Sequence, residues 1–278
     1  MSKEPQAMLA GVPLGDTTAK GADVRRSPVV LATLWMLLLS PALLADNTIG
    51  TIERVKGSIV AVGTFERTRV PAFQFRATGF AVGDGSLIAT NAHVLPAVLD
   101  SERRETLVVL VPAPGRDPQV REAREVAVDT GTDLAVLKIN GPPLPALKLG
   151  GLDSVREGQS VLFTGFPIGA VLGIFAATHR GMVAAITPIA IPPPVAANLN
   201  PRVIRRLTTG SFPVLQLDAT AYPGNSGSPV YDPESGEVLG IVNMVFVKGT
   251  KETALTQPSG ITYAIPAKHL QALVTRAN

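Results

Sequence analysis

The chain has 278 residues, of which 46% are hydrophobic and 17% charged, with 26 Gly, 24 Pro and no Cys. That apolar content excludes a wholly disordered chain, and the lack of cysteine removes disulfides, thiolate metal sites and thiol nucleophiles together. Twenty-five basic against 22 acidic residues leave a net charge of +3 with no basic tract, which argues against nucleic acid as a partner.

Residues 1–45 read as an export signal. Arg25 and Arg26 precede the uncharged run Val29 to Leu39, and Ser40, Pro41, Ala42 and Ala45 then offer small residues for cleavage. Eleven residues rise about 16 Å as a helix, about half the thickness of a bilayer core, so the expectation is a cleaved leader, no stable membrane anchor and an exported, periplasmic or secreted protein. Cleavage would take away four basic and three acidic residues, leaving +2 and no membrane signal.

The remainder alternates short β-rich runs with Gly, Pro and Asp. The strand candidates are Ser58 to Thr64, Gly79 to Val82, Ser86 to Thr90, Thr106 to Val111, Glu125 to Val128, Leu134 to Ile139, Ser160 to Thr164, Gly181 to Ile186, Val214 to Leu217, Ser228 to Tyr231, Val238 to Phe246 and Ile261 to Ile265. About a dozen strands imply barrels or sandwiches. Val82-Gly83-Asp84-Gly85 is a hairpin turn signal. The Pro- and Gly-rich stretch Asn140 to Gly151 marks a boundary between two halves, giving domains 46–145 and 146–278. Pro266 at a first helical turn, followed by Leu270, Leu273 and Val274, predicts a short closing helix. The stretch Pro188 to Pro201 cannot pair as a central strand and reads as a surface loop.

Three separated segments carry chemistry. Gly224-Asn225-Ser226-Gly227 holds a serine in a tight glycine-bounded loop before a strand, His93 follows a strand, and Asp133 opens the apolar run Leu134 to Ile139, with Asp129 as its nearest competitor. Singly, each has a plainer reading as a turn, core or strand-start residue. Jointly they satisfy what a serine nucleophile needs: a base to take its proton, and a carboxylate to fix the tautomer of that base.

The segments TGF, DGSLIATNAHV, DTGTDLAVLKI, LDATAYPGNSGSPV, GEVLGIVN and ITYAIPA, in this order, resemble the chymotrypsin-like serine proteases, and among them the bacterial high-temperature-requirement (Deg-type) branch. The resemblance covers Gly57 to the end. It implies an all-β fold of two six-stranded antiparallel barrels with a short C-terminal helix and the active site between the barrels. It makes Ser226 the nucleophile, His93 the general base and acid, Asp133 the orienting carboxylate, and the amides of Gly224 and Ser226 the oxyanion hole. The substrates would be polypeptides, with no metal and no other cofactor.

The same resemblance puts Thr220 at the base of the pocket for the residue before the scissile bond (P1), with Ala221, Val245 and Ile261 completing it. Without a carboxylate the pocket should disfavour Lys and Arg, and Val245 should narrow it, so small or medium aliphatic residues are expected. Ser228 stands where the Deg-type motif usually has glycine, a variant shared with glutamate-specific relatives, which keeps a glutamate-specific endopeptidase as an alternative. A catalytically silent protease-like binding module is the other, since fold alone does not guarantee function. The chain ends soon after its closing helix, so no PDZ domain is expected. Residues 188–206, with Arg202, Arg205 and Arg206, read as a solvated insertion or a lid.

Overall fold

The computed structural model describes residues 40–113, 115–151, 155–188, 212–243 and 260–277; all of its strands fall within the unit Leu44–Asn278. Most of the expected leader, the stretch 189–206 and Val245 lie outside the described residues.

Strands β1 (Ile59–Phe65), β2 (Phe73–Val82), β3 (Leu87–Asn91), β4 (Thr106–Val111), β5 (Gln119–Asp129) and β6 (Leu134–Ile139) close into an antiparallel barrel in the order β1-β2-β3-β6-β5-β4. Strands β7 (Ser160–Gly165), β8 (Ala177–Pro188), β9 (Pro213–Asp218), β10 (Pro229–Tyr231), β11 (Val238–Val242) and β12 (Ile261–Pro266) close a second barrel with the same circular order, β7-β8-β9-β12-β11-β10. This two-barrel, chymotrypsin-like architecture is the one the sequence implied. The repeated topology has no counterpart as a sequence repeat, because a barrel needs only a pattern of apolar faces and turns, which many sequences satisfy.

Alternate residues of each strand face different apolar layers. Val60 and Val62 join Ile88, Val109 and Leu137 inside the first barrel, whereas their neighbours Ile59 and Ala61 turn outward into a seam with Phe80, Leu134, Tyr231 and Ile241. Phe163, Leu215, Leu217 and Val230 fill the second barrel. Strands covered on both faces read as continuous apolar runs, which is why β1, β3 and β6 stand out in the sequence. The closing helix α2 (Ala267–Ala277) sets Leu270, Leu273 and Val274 into the same seam.

Three strands extend well beyond their apolar cores: β2 begins at Phe73, β5 at Gln119 and β8 at Ala177. Their outer halves alternate exposed and half-buried residues and carry charges that mask the strand signal. The helix α1 (Ser40–Lys56), which runs across the expected cleavage point at Ala45, was not legible as an element. Its Thr51 and Val55 are buried, and Thr51 Oγ1 donates to the Glu234 carbonyl at 3.0 Å. Among the described residues no helix is long and apolar enough to cross a membrane.

Candidate active site

His93 lies on a single 3-10 turn, Ala92–Val94, immediately after β3. Asp133 stands at the start of β6, the neighbour of β3 in the barrel, with a left-handed φ of 59°. Its carbonyl accepts from the Ala92 amide at 3.1 Å and from the Asn91 side chain at 3.1 Å. Pinned this way, the carboxylate grips the histidine twice: Oδ1 accepts from the His93 amide at 2.8 Å and Oδ2 lies 2.7 Å from Nδ1. That contact fixes Nδ1 as the protonated nitrogen and leaves Nε2 to act as a base. Asp129 is occupied elsewhere, its Oδ1 capping the amides of Gly131 and Thr132 at 2.9 and 3.3 Å.

A residue absent from the sequence reading completes the carboxylate. Asn243, fully buried just past β11, donates from Nδ2 to Asp133 Oδ2 at 2.7 Å. Burial of Asp133 pushes its pKa up, but the hydrogen bonds and charge of His93 and the Asn243 amide outweigh it and hold the group below the usual aspartate value.

Ser226 arrives from the other barrel, in the turn before β10. Thr78 of β2 holds that turn: its amide donates to the Ser226 carbonyl at 3.0 Å, its Oγ1 donates to the Gly224 carbonyl at 2.7 Å and accepts from the Phe166 amide at 3.0 Å. Thr90 of β3, three residues before His93, donates to the Thr78 carbonyl at 2.8 Å. The two barrels therefore meet through one hydrogen-bonded chain running from the histidine strand to the serine turn. Among the described residues no hydrogen bond joins Ser226 Oγ to Nε2 of His93.

Gly224 requires its lack of a side chain. Its φ is 103°, and a Cβ would meet the Phe166 carbonyl oxygen at 2.3 Å. The preceding carbonyl, of Pro223, is taken by the Ile168 amide at 2.7 Å, and Ile168 itself adopts a left-handed φ of 51°, a strained state for a β-branched residue. Fixing that carbonyl turns the Gly224 N–H the opposite way. Neither the Gly224 nor the Ser226 amide donates to an acceptor within the protein among the described residues, so both are free to receive an anionic oxygen.

Of the expected pocket residues, Thr220 and Ala221 follow Ala219, which is tied to the start of β12. The Ala219 amide donates to the Gly260 carbonyl at 2.9 Å, and Thr262 Oγ1 donates to the Ala219 carbonyl at 2.7 Å. Ala221 is buried and Ile261 half exposed. Ser228 is fully buried; its hydroxyl packs over Gly165, where a Cβ would meet it at 2.0 Å.

The family model of the trypsin-like peptidase domain matches residues 77–241. The chain belongs to that family. A "Probable periplasmic serine endoprotease DegP-like" of Halomonas elongata is 31% identical over 193 residues, 68% of this chain and 32% of the relative. A protein of the same description from a Marinomonas strain is 29% identical over 206 residues, 71% of this chain and 34% of the relative. The chain thus spans about a third of the length of these curated relatives. A solved structure, the HtrA-type protease AlgW with tripeptide, superposes with a TM-score of 0.56 at 24% identity, covering 82% of this chain and 62% of that one. His93, Asp133 and Ser226 all fall within the matched residues 77–241, which leave out β1 and β12.

Proposed function

We propose that this trypsin-like peptidase domain is a serine endopeptidase of the cell envelope that cleaves polypeptides through an acyl-enzyme. The observation that carries the reading is the double grip of Asp133 on His93, which leaves Nε2 as a base on the strand that Thr90 and Thr78 link to the serine turn. In this mechanism His93 Nε2 takes the Ser226 proton as Oγ attacks the scissile carbonyl, and the charge on Asp133 stabilises the imidazolium. The Gly224 and Ser226 amides receive the oxyanion, each such donor being worth about 3–4 kcal/mol in other enzymes. His93 then returns the proton to the leaving amine, and water activated by the same imidazole releases the acyl group.

The pocket of Thr220, Ala221, Val245 and Ile261 would accept small or medium aliphatic P1 residues. Export through a leader over residues 1–45 fits the periplasmic description of the relatives. The unformed Ser226–His93 hydrogen bond favours a second reading, a binding module that does not turn over. A serine-directed fluorophosphonate distinguishes the two: stoichiometric labelling that disappears in Ser226→Ala supports the peptidase, and absent labelling of well-folded protein supports the binding module.

A further inference from the structure

Strand β2 contains an irregularity that the catalytic reading leaves unused. Val62 of β1 pairs with Ala77, but the next residue, Gly63, pairs with Phe75, so Arg76 is an extra residue bulged out of the ladder. A bulge of this kind resets the alternation of side chains and re-aims the residue it carries. Gly63 lies opposite, where a Cβ would meet the Gln74 carbonyl at 2.2 Å. Because of the reset, Phe75 and Thr78, three residues apart, both reach the serine turn. The Phe75 ring lies 3.0 Å from where a Cβ on Gly224 would be, and Thr78 bonds the Gly224 carbonyl. Arg76 is swung toward the histidine instead: its Nε donates to the carbonyl of Val94, the residue after His93. The side chain is exposed, and no carboxylate lies within ion-pair distance of it among the described residues.

These contacts put an aromatic edge and an unpaired guanidinium along one border of the cleft, from Gly224 to Val94. The P1 residues Thr220, Ala221 and Ile261 belong to the loop before the serine and to β12, in the other barrel. A substrate whose acyl half lies against that loop and strand must run its leaving half toward His93, which donates the proton to the departing amine. We propose that Phe75 and Arg76 form the leaving-group subsite, and that the Arg76 guanidinium selects an aspartate or glutamate among the first two residues after the scissile bond. With Nε committed to Val94, the terminal nitrogens form a fork suited to a carboxylate. This inference rests on the peptidase reading.

The test uses quenched fluorescent peptides with one acyl half and Glu, Ala or Lys at each of the first two leaving positions. The Glu-to-Lys ratio of kcat/KM is read within each variant, so any general loss of activity cancels. The wild-type ratio is expected at about 2- to 5-fold, as for a solvent-accessible charge pair, falling toward one in 1 M salt. Arg76→Gln, whose amide retains a donor for Val94, should flatten the ratio, and Arg76→Glu should invert it. A wild-type ratio near one with Ser226 still labelled by fluorophosphonate overturns the subsite but leaves the peptidase intact. A ratio unchanged in Arg76→Gln does the same. Neither labelling nor cleavage of any peptide overturns both.

Discussion

Asn243 offers the sharpest test of how the carboxylate is built. Asn243→Leu keeps the branched side-chain skeleton and removes the N–H that reaches Asp133 Oδ2 at 2.7 Å. A hydrogen bond to a charged group contributes about 1.5–3 kcal/mol, and each 1.36 kcal/mol is about tenfold in rate. The expected loss is therefore about 10- to 150-fold in kcat. KM should move little, since the amide acts through Asp133 rather than on substrate. Asp133 should also lose part of what holds its pKa down, so the acid limb of the rate profile shifts upward in pH. Asn243→Asp should shift it further, because two carboxylates at that separation cannot both ionise freely. The assay is kcat/KM for a fluorogenic peptide from pH 5 to 9, normalised to active sites titrated with fluorophosphonate. Activity of Asn243→Leu within twofold of wild type across that range would refute the argument.

Ser226→Ala and His93→Ala should each lower turnover at least about 10⁴-fold with the fold intact by circular dichroism; Asp133→Asn should be nearly as damaging and Asp129→Asn mild, since Asp129 caps only its own turn. Peptides with Val, Ala or Ile at P1 should be cleaved better than those with Arg, Lys or Phe, and Val245→Gly should raise the Phe-to-Val ratio by about 10- to 100-fold; a profile led by Glu or Arg would contradict the pocket. His179, stacked on Phe163 at 4.8 Å, and His269 are both held below the ordinary imidazole pKa, chiefly by burial. The unfolded chain then binds more protons than the folded one as pH falls through about 6.5 and below, so stability is lost on acidification. The fall in Tm between pH 7.5 and 5.5 should be smaller in His179→Phe, and an equal fall would show that His179 does not contribute.

Much of this protein is legible along the chain because it depends on local chemistry. Strands covered on both faces are mostly apolar, so β1, β3 and β6 announce themselves. The serine turn needs residues without side chains on both sides of Ser226, and the leucines of α2 follow the helical period. His93, Asp133 and Ser226 are visible as a set because their order and flanking residues resemble a known family.

What only the tertiary structure decides is which atoms meet across long separations. Asp133 and Asn243 are 110 positions apart, and Thr78 reaches Gly224 across 146; no periodicity encodes either contact, because each arises from closing two barrels against one seam. The choice of Asp133 over Asp129 follows from the register between β3 and β6, which carries one carboxylate to the histidine and leaves the other in its own turn. Arg76 would read as one charged residue of an alternating strand, and only the bulge, a misfit of one residue between β1 and β2, turns it toward the cleft. Sequence sets the chemistry of each residue and the local periods, whereas barrel closure and register set which of those residues share a site.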